Sequence, residues 1–143
     1  LHVSGARVTV VGKHEEKLHI VRKLGVRTEL LRDWRPRQVD CVVEATGSAA
    51  GLALVMQMVR PRGTLVLKST VARDHEVSLA PLVINEVTVI GSRCGLFPPA
   101  LRALAESTIS VTPLISKTFP LTEGAAAVRQ AARPGALKVL LRV

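Results

Sequence analysis

The sequence contains very few aromatic residues. Only 2% of its 143 residues are aromatic and tyrosine is absent, although 48% of the residues are hydrophobic. The interior must therefore be built from valine, leucine, isoleucine and alanine, a composition that favours sheet strands buried on both faces. The three aromatic residues are Trp34, Phe97 and Phe119, which are too few to provide stacking platforms for nucleic acid.

Long apolar runs and paired cysteines are also missing. No run approaches the roughly 20 apolar residues of a membrane span, and the first residues show no secretory signal pattern. Cys41 and Cys94 lie far apart without a C-x-x-C spacing, which argues against a disulfide framework and against a zinc knuckle. We therefore predict a cytoplasmic protein with no membrane partner, and we expect Cys41, inside an apolar run, to be buried.

The histidines and cysteines do not suggest a metal site. His2, His14, His19 and His75 show no spacing typical of zinc ligands, and neither cysteine has a ligand partner nearby in the sequence. We assign no metal ligand and no catalytic residue to this chain.

Basic residues outnumber acidic ones. Lysine and arginine total 20 against 11 acids, which gives a net charge of +9. Such a surplus favours nucleic acid, an acidic surface or a phosphorylated ligand. The bases are scattered rather than gathered in a stripe, so we predict no nucleic-acid partner. Charge alone does not choose between the other two.

Short apolar runs alternate with helical patterns in the first half of the chain, as is typical of βα units around a parallel sheet. The predicted strands are residues 8–11, 28–31, 40–44, 63–69 and 86–92, and the predicted helices are residues 15–24, ended by Gly25, and 52–59. The sequence RPRG before residue 64 predicts a turn. Residues 32–39 are too short and too proline-broken for a crossover helix, so we expect an irregular strap carrying Trp34.

The second half has a different pattern. FPPALRALAES predicts a helix with proline near its first turn, and TPLISKTFP predicts a strand closed by Pro120. LTEGAAAVRQAA predicts a helix with Thr122 as its N-cap, and ALKVLLRV predicts a final strand.

The order and spacing of these segments resemble the C-terminal portion of medium-chain, zinc-type alcohol dehydrogenases. The resemblance is carried by GARVTVVGKHEEKLHIVRKLG, DCVVEATGS, VRPRGTLVLKS, NEVTVIGSRCG and residues 113–143. It implies an α/β fold, an incomplete Rossmann-like doubly wound parallel sheet with a C-terminal helix and strand extension. Residues 1–93 would form a partial NAD(P)-binding domain, and residues 94–143 a segment that in the family returns to the catalytic domain.

The family's glycine-rich turn is not found in this sequence, which contains no G-x-G-x-x-G. That turn and the following helix N-terminus hold the pyrophosphate in dinucleotide-binding folds. The resemblance therefore implies that the chain is a fragment of a longer enzyme, with residues 1–4 as the last turn of the helix that follows the missing turn.

The end of the first strand bears on the choice of cofactor. The resemblance makes Gly12 the position where the family carries an acid that binds the adenosine ribose and selects NAD. Without that carboxylate a 2′-phosphate is not repelled, and Lys13, His14 and Lys17 can donate to it. We predict NADP, with NAD as the alternative. A plain turn at Gly12 before a solvated helix start is the other interpretation.

Further candidate residues follow the later strands. Thr46 and Gly47 come after a strand, where ligands bind to open α/β sheets, and the equivalent loop of the family lines the cofactor. Leu67 and Ser69 end the next strand, and Ser92 and Arg93 end the one after it. The resemblance places both strand ends beside the nicotinamide half. Arg93 is either a ligand for a phosphate or acidic substrate or a solvent-facing arginine.

Two more charged residues have a possible role. Lys138 falls where the last strand of the family carries a basic residue that reaches the pyrophosphate. Glu44 lies at a strand end, where it either orients a cofactor loop or serves as a structural carboxylate.

The strand that begins at Glu86 and ends at Ser92 resembles the family's edge strand, which pairs with its copy in another subunit. An exposed edge needs cover, so a homodimer or a dimer of dimers is predicted.

The resemblance implies an oxidoreductase that moves hydride between a small alcohol or carbonyl substrate and a nicotinamide dinucleotide, with zinc polarising the alcohol oxygen in the parent enzyme. Every zinc ligand would lie outside this chain, so the 143 residues alone are predicted to be inactive. The alternative is a stand-alone, non-catalytic module that binds a nucleotide or another protein.

Overall fold

The structure is a computed structural model, and it describes residues 4–35, 37–70, 74 and 76–143. The helix turn predicted for residues 1–4 lies almost wholly outside these residues, as do His2 and His75. The strands are β1 (Thr9–Gly12), β2 (Arg27–Leu30), β3 (Val39–Glu44), β4 (Val59–Leu67), β5 (Thr88–Gly91), β6 (Ile115–Pro120) and β7 (Lys138–Arg142). The helices are α1 (Glu15–Lys23), α2 (Ala49–Met58), α3 (Ala80–Ile84), α4 (Phe97–Ala105) and α5 (Gly124–Ala131), with 3-10 turns at Thr112–Leu114 and Leu121–Glu123.

All strand pairs in the described residues are parallel, as the alternating pattern predicted. They form three separate sheets: β1 with β2, then β3, β4 and β5 in that order, and β6 with β7. In the three-stranded sheet Val42 pairs with Leu65, and Leu65 pairs with Val89. Strand β4 is therefore central, and β5 is an edge of the described sheet.

The chain divides into two compact units, residues 1–34 with 96–143 and residues 35–95. The assignment of residues 1–93 and 94–143 to two functional parts stays a prediction.

The first unit begins with a strand and a helix, β1 and α1, whose ends lie within one residue of the predicted ones. Helix α1 has acids in its first turn and bases in its last turn, which suits the helix dipole. Gly25 follows its C-cap with a φ of 79°, the left-handed conformation that glycine adopts without a steric penalty. Leu18 of α1 is 3% exposed. Further along the chain, Phe119 of β6 and Ala127 of α5 are also buried.

The second unit is built around α2 and the sheet of β3, β4 and β5. Its buried apolar cluster consists of Val42, Val55, Met56, Val59 and Leu65. Because Ser48 caps α2 by accepting a hydrogen bond from Gly51 N at 3.1 Å, the helix starts at Ala49, three residues before the predicted start. It ends at Met58, since Val59 already belongs to β4.

Burial on both faces of the strands was predicted, and it is wrong for β3 and β5. Along β3, Val42 and Glu44 are buried while Cys41 and Val43 are exposed. The side chains alternate between the two faces of a strand, and α2 packs against β3 and β4 on the side of Val42. Cys41 is therefore exposed, not buried, because it points to the opposite face.

Two local predictions also fail, and one helix was missed. The RPRG turn lies within β4, where Val39 pairs with Val59 and Cys41 with Thr64, so residues 60–63 bulge out of the ladder. The N-cap of α5 is Glu123, because residues 121–123 form a 3-10 turn ahead of the helix. Helix α3 was not predicted. Its five residues are too few to show a helical period in the sequence.

No described helix is long and apolar enough to cross a membrane.

Candidate functional site

The end of β1 and the start of α1 carry four of the predicted site residues. Leu31 N donates to Gly12 O at 2.8 Å, which ties the end of β1 to the residue after β2. The backbone of Gly12 packs against Leu18, since a Cβ at residue 12 would lie 3.0 Å from Leu18 Cδ2. Lys13 and His14 are exposed, and Lys17 is half-buried.

Acidic side chains lie among these bases. His14 Nδ1 is 3.6 Å from Glu16 Oε1, and both side chains are well exposed. Glu15 Oε1 accepts a hydrogen bond at 3.0 Å from Arg22, which lies about two turns further along the same face of α1. The start of α1 is therefore a mixed surface, and Lys13 and Lys17 are the cations on which a phosphate contact would depend.

Five other predicted residues come together at one edge of the three-stranded sheet. Because β3, β4 and β5 are parallel, their carboxyl ends meet there. The ladder continues beyond the strands, since Lys68 N donates to Glu44 O at 3.0 Å and Ser92 N donates to Leu67 O at 2.9 Å. The predicted residues at this edge are Thr46, Gly47, Leu67, Ser92 and Arg93.

A lysine links the last two strands of this edge. Lys68 Nζ donates to the carbonyl oxygen of Arg93, so the backbone after β5 is held to the residue after β4. The guanidinium of Arg93 is exposed. Lys138 is also exposed and lies at the start of β7, opposite Ile115 of β6.

Glu44 organises the loop after β3, a role that the sequence left open. It is 4% exposed, and its Oε1 accepts hydrogen bonds from Thr46 N at 2.6 Å, Thr46 Oγ1 at 2.7 Å and Gly47 N at 3.2 Å. Gly47 N also donates to Ser69 Oγ at 3.0 Å. The carboxylate and the Ser69 hydroxyl thus join the loop to the end of β4.

The charge state of Glu44 follows from these contacts. Burial by itself raises the pKa of its carboxyl, but hydrogen bonds from the side chain and backbone of Thr46, from the Ser69 hydroxyl and from Gly47 N act in the opposite direction. Together they outweigh burial and hold the pKa below its usual value. Glu44 is therefore ionised at neutral pH, and the loop is built around its negative charge.

Sequence reasoning placed Ser69 at a strand end beside the nicotinamide half, but it missed the hydrogen bond from Gly47 N to Ser69 and the role of Gly51 in this loop. A Cβ on Gly51 would overlap Thr46 Oγ1 and lie 2.8 Å from Thr46 Cβ. The available signal was an acid at the end of an apolar strand, followed by Thr-Gly-Ser and then by a glycine in the first turn of a helix. The partner at Ser69 is 22 residues from Gly47, so local sequence carries no trace of it.

Among the described residues, no group of three or more histidine, cysteine or acidic side chains is placed to hold a metal ion. The described part of the chain therefore does not fit a zinc ion.

The sequence profile of the zinc-binding dehydrogenase family matches residues 1–108. The chain belongs to this family. Sorbitol dehydrogenase of Gallus gallus is 28% identical over 140 residues, covering 96% of this chain and 38% of that protein. Sorbitol dehydrogenase of Mus musculus is 29% identical over 105 residues, covering 72% of this chain and 29% of that protein. The chain thus spans well under half the length of these curated relatives.

Solved structures share the fold of this chain. L-Idonate 5-dehydrogenase from Escherichia coli superposes with a TM-score of 0.86 and 21% identity, over 96% of this chain and 43% of that one. A zinc-binding dehydrogenase from Sinorhizobium meliloti bound to NADP superposes with a TM-score of 0.83 and 21% identity, over 96% of this chain and 45% of that one. A short-chain alcohol dehydrogenase from E. coli CFT073 complexed with NADH superposes with a TM-score of 0.81 and 19% identity, over 96% of this chain and 44% of that one. These likenesses confirm the α/β class and the incomplete Rossmann-like fold.

Replacing Gly51 by alanine tests how closely α2 approaches the loop. Alanine is intrinsically favoured over glycine in a helix by about 1 kcal/mol, so an effect on the helix alone would stabilise the protein. We expect a loss of about 1–3 kcal/mol in the free energy of unfolding instead, because Thr46 must move away from Glu44. Urea denaturation of the full-length protein measures the change.

The matched control for Gly51→Ala is Gly124→Ala at the start of α5, where a Cβ would meet nothing within 4 Å. We expect this control to be neutral or stabilising. An equal effect of the two substitutions would contradict the close approach of Gly51 to Thr46.

The pH dependence of stability reports the charge of Glu44. Because its pKa in the folded protein is lowered, the ionised carboxylate stabilises the fold above the usual carboxyl pKa, and this contribution disappears as the pH falls through the lower folded value. The free energy of unfolding of Glu44→Gln should therefore differ most from wild type at neutral pH and converge with it under acid conditions. A difference that stays constant over this range would show that folding does not lower the pKa of Glu44.

Proposed function

We propose that this chain is the coenzyme-binding portion of an NAD(P)-dependent, zinc-type dehydrogenase that moves hydride between a small alcohol and its carbonyl product. The observation that carries the proposal is the shared edge of β3, β4 and β5, where a preformed loop at Thr46 and Gly47 lies beside the ends of the next two strands. Open α/β sheets bind their ligands at such an edge.

The proposal assigns binding and orientation, not bond making, to the residues of this chain. Thr46, Gly47, Leu67, Ser92 and Arg93 would line the dinucleotide. A pyrophosphate contact for Lys138 remains a prediction from the resemblance. A bound nicotinamide supplies the hydride acceptor. The zinc ligands and the remaining wall of the substrate pocket would belong to other parts of the protein. Residues 94–143 would return to the catalytic domain, and a cytoplasmic location remains a prediction.

NADP is the cofactor that the end of β1 favours. Gly12 presents no carboxylate to a 2′-phosphate, and Lys13 and Lys17 lie within the next five residues. Glu16 opposes this preference, because its carboxylate lies 3.6 Å from His14 and would repel a phosphate that approached this histidine. The balance still favours NADP, because an acid at Gly12 itself is the feature that would repel the phosphate.

Cofactor titration of the full-length protein tests this preference. We expect NADP to bind more tightly than NAD, and Gly12→Asp to weaken NADP binding by at least about tenfold through like-charge repulsion. Gly12→Ala is the matched control, because it adds the same Cβ contact with Leu18 without the charge. Tighter binding of NAD by the wild-type protein would overturn the NADP assignment.

We further propose that β5 pairs with its copy in a second subunit. All four residues of β5 are exposed, including Val89 at 42% and Ile90 at 48%, and β5 forms the edge of its described sheet. An exposed apolar edge strand is a template for pairing with another chain.

Sedimentation of the full-length protein should show a dimer or a dimer of dimers. Ile90→Lys should shift it toward the monomer, since a lysine on an edge strand opposes pairing. Val128→Lys, at a residue of α5 that is 69% exposed, should leave the assembly intact. A monomeric wild-type protein would refute the interface.

A further inference from the structure

The polar side chains of the loop after β3 are used within the loop. Thr46 Oγ1 donates to Glu44 and accepts a hydrogen bond from Ser48 N at 3.3 Å. Ser48 Oγ accepts from Gly51 N at the start of α2. A ligand at this loop therefore meets few free side-chain donors.

The backbone around Gly47 is what the loop presents outward. Gly47 has a φ of 67°, and a Cβ built on it would have nothing within 4 Å. The peptide nitrogen of Gly47 points back to Glu44 and Ser69. The loop is thus unobstructed on the side where a Cβ of Gly47 would lie, and it is hydrogen-bonded to Glu44 and Ser69 through the nitrogen of Gly47.

Glu44 accepts most of the hydrogen bonds that hold the loop in place. An ionised carboxylate only accepts hydrogen bonds, and each of its oxygens can accept more than one. Oε1 can therefore receive the Thr46 and Gly47 donors together. A carboxylate so buried is tolerated only when hydrogen bonds replace its hydration. A glutamine would keep the shape of the side chain and could still accept through its one oxygen, but it would remove the negative charge that strengthens the three hydrogen bonds to Oε1.

We propose that Glu44, assisted by Ser69, is a positioning residue for cofactor binding: it holds the Thr46–Gly47 loop in its binding conformation without touching the cofactor. The inference rests on the proposed function, because it concerns the same edge of the sheet. It adds a residue that acts through the loop rather than by contact. The cost of losing it should therefore appear in cofactor affinity, with turnover by the loaded enzyme largely preserved.

The test measures cofactor dissociation constants of the full-length protein by the fluorescence of NADPH and NADH, together with kcat and the KM for cofactor. We expect Glu44→Gln to weaken cofactor binding roughly tenfold, as for the loss of hydrogen bonds to a charged group. At saturating cofactor, kcat should stay within about twofold of wild type, since the residues that contact the ligand are unchanged. Glu76→Gln, the same chemical change at an exposed residue of the same unit, should bind cofactor like wild type.

Ser69→Ala provides a second variant if Glu44→Gln fails to fold. It removes the hydroxyl that Gly47 N contacts, and we expect weaker cofactor binding in the same direction. Where both variants fold, their effects should be less than additive in the double variant, because they act on one loop.

The outcomes separate the two proposals. Cofactor affinity unchanged in both Glu44→Gln and Ser69→Ala would overturn the positioning role while leaving the proposed function in place. A wild-type protein that binds neither NADPH nor NADH would refute the proposed function itself.

Discussion

A buried negative charge determines the local structure at the carboxyl edge of the three-stranded sheet. Glu44 is 4% exposed, and an uncompensated charge at such a position would cost several kcal/mol. Its donors come from Thr46, Gly47 and Ser69, which belong to two different strand ends. The loop after β3 and the end of β4 are therefore held together by hydrogen bonds around one carboxylate.

Neighbouring backbone choices follow from that arrangement. Gly47 adopts a left-handed conformation so that its nitrogen can turn toward Glu44 and Ser69. Gly51 has no side chain where Thr46 Oγ1 lies. Ser48 closes the sequence of contacts by capping α2. Helix α2 in turn buries Val55 and Met56 against the sheet, which connects the candidate site to the core of its unit.

The second unit exposes apolar residues on two of its strands. Val43 on β3, together with Val89 and Ile90 on β5, is exposed although β-branched apolar residues are typical of buried strands. The chain spans less than half of the relatives it matches. The proposed second subunit and the proposed remainder of the enzyme are both candidates to cover these surfaces.

The sequence by itself determined the family, the parallel βα order, the ends of α1 and the placement of the candidate residues after successive strands. These features depend on local periodicity, capping residues and segment order, all of which are written within short stretches of chain. Only the tertiary structure decided that Cys41 is exposed, that residues 60–63 bulge from β4 and that Glu44 is joined to Ser69. Those outcomes depend on which face α2 covers and on contacts between residues about 20 positions apart, for which no local pattern exists.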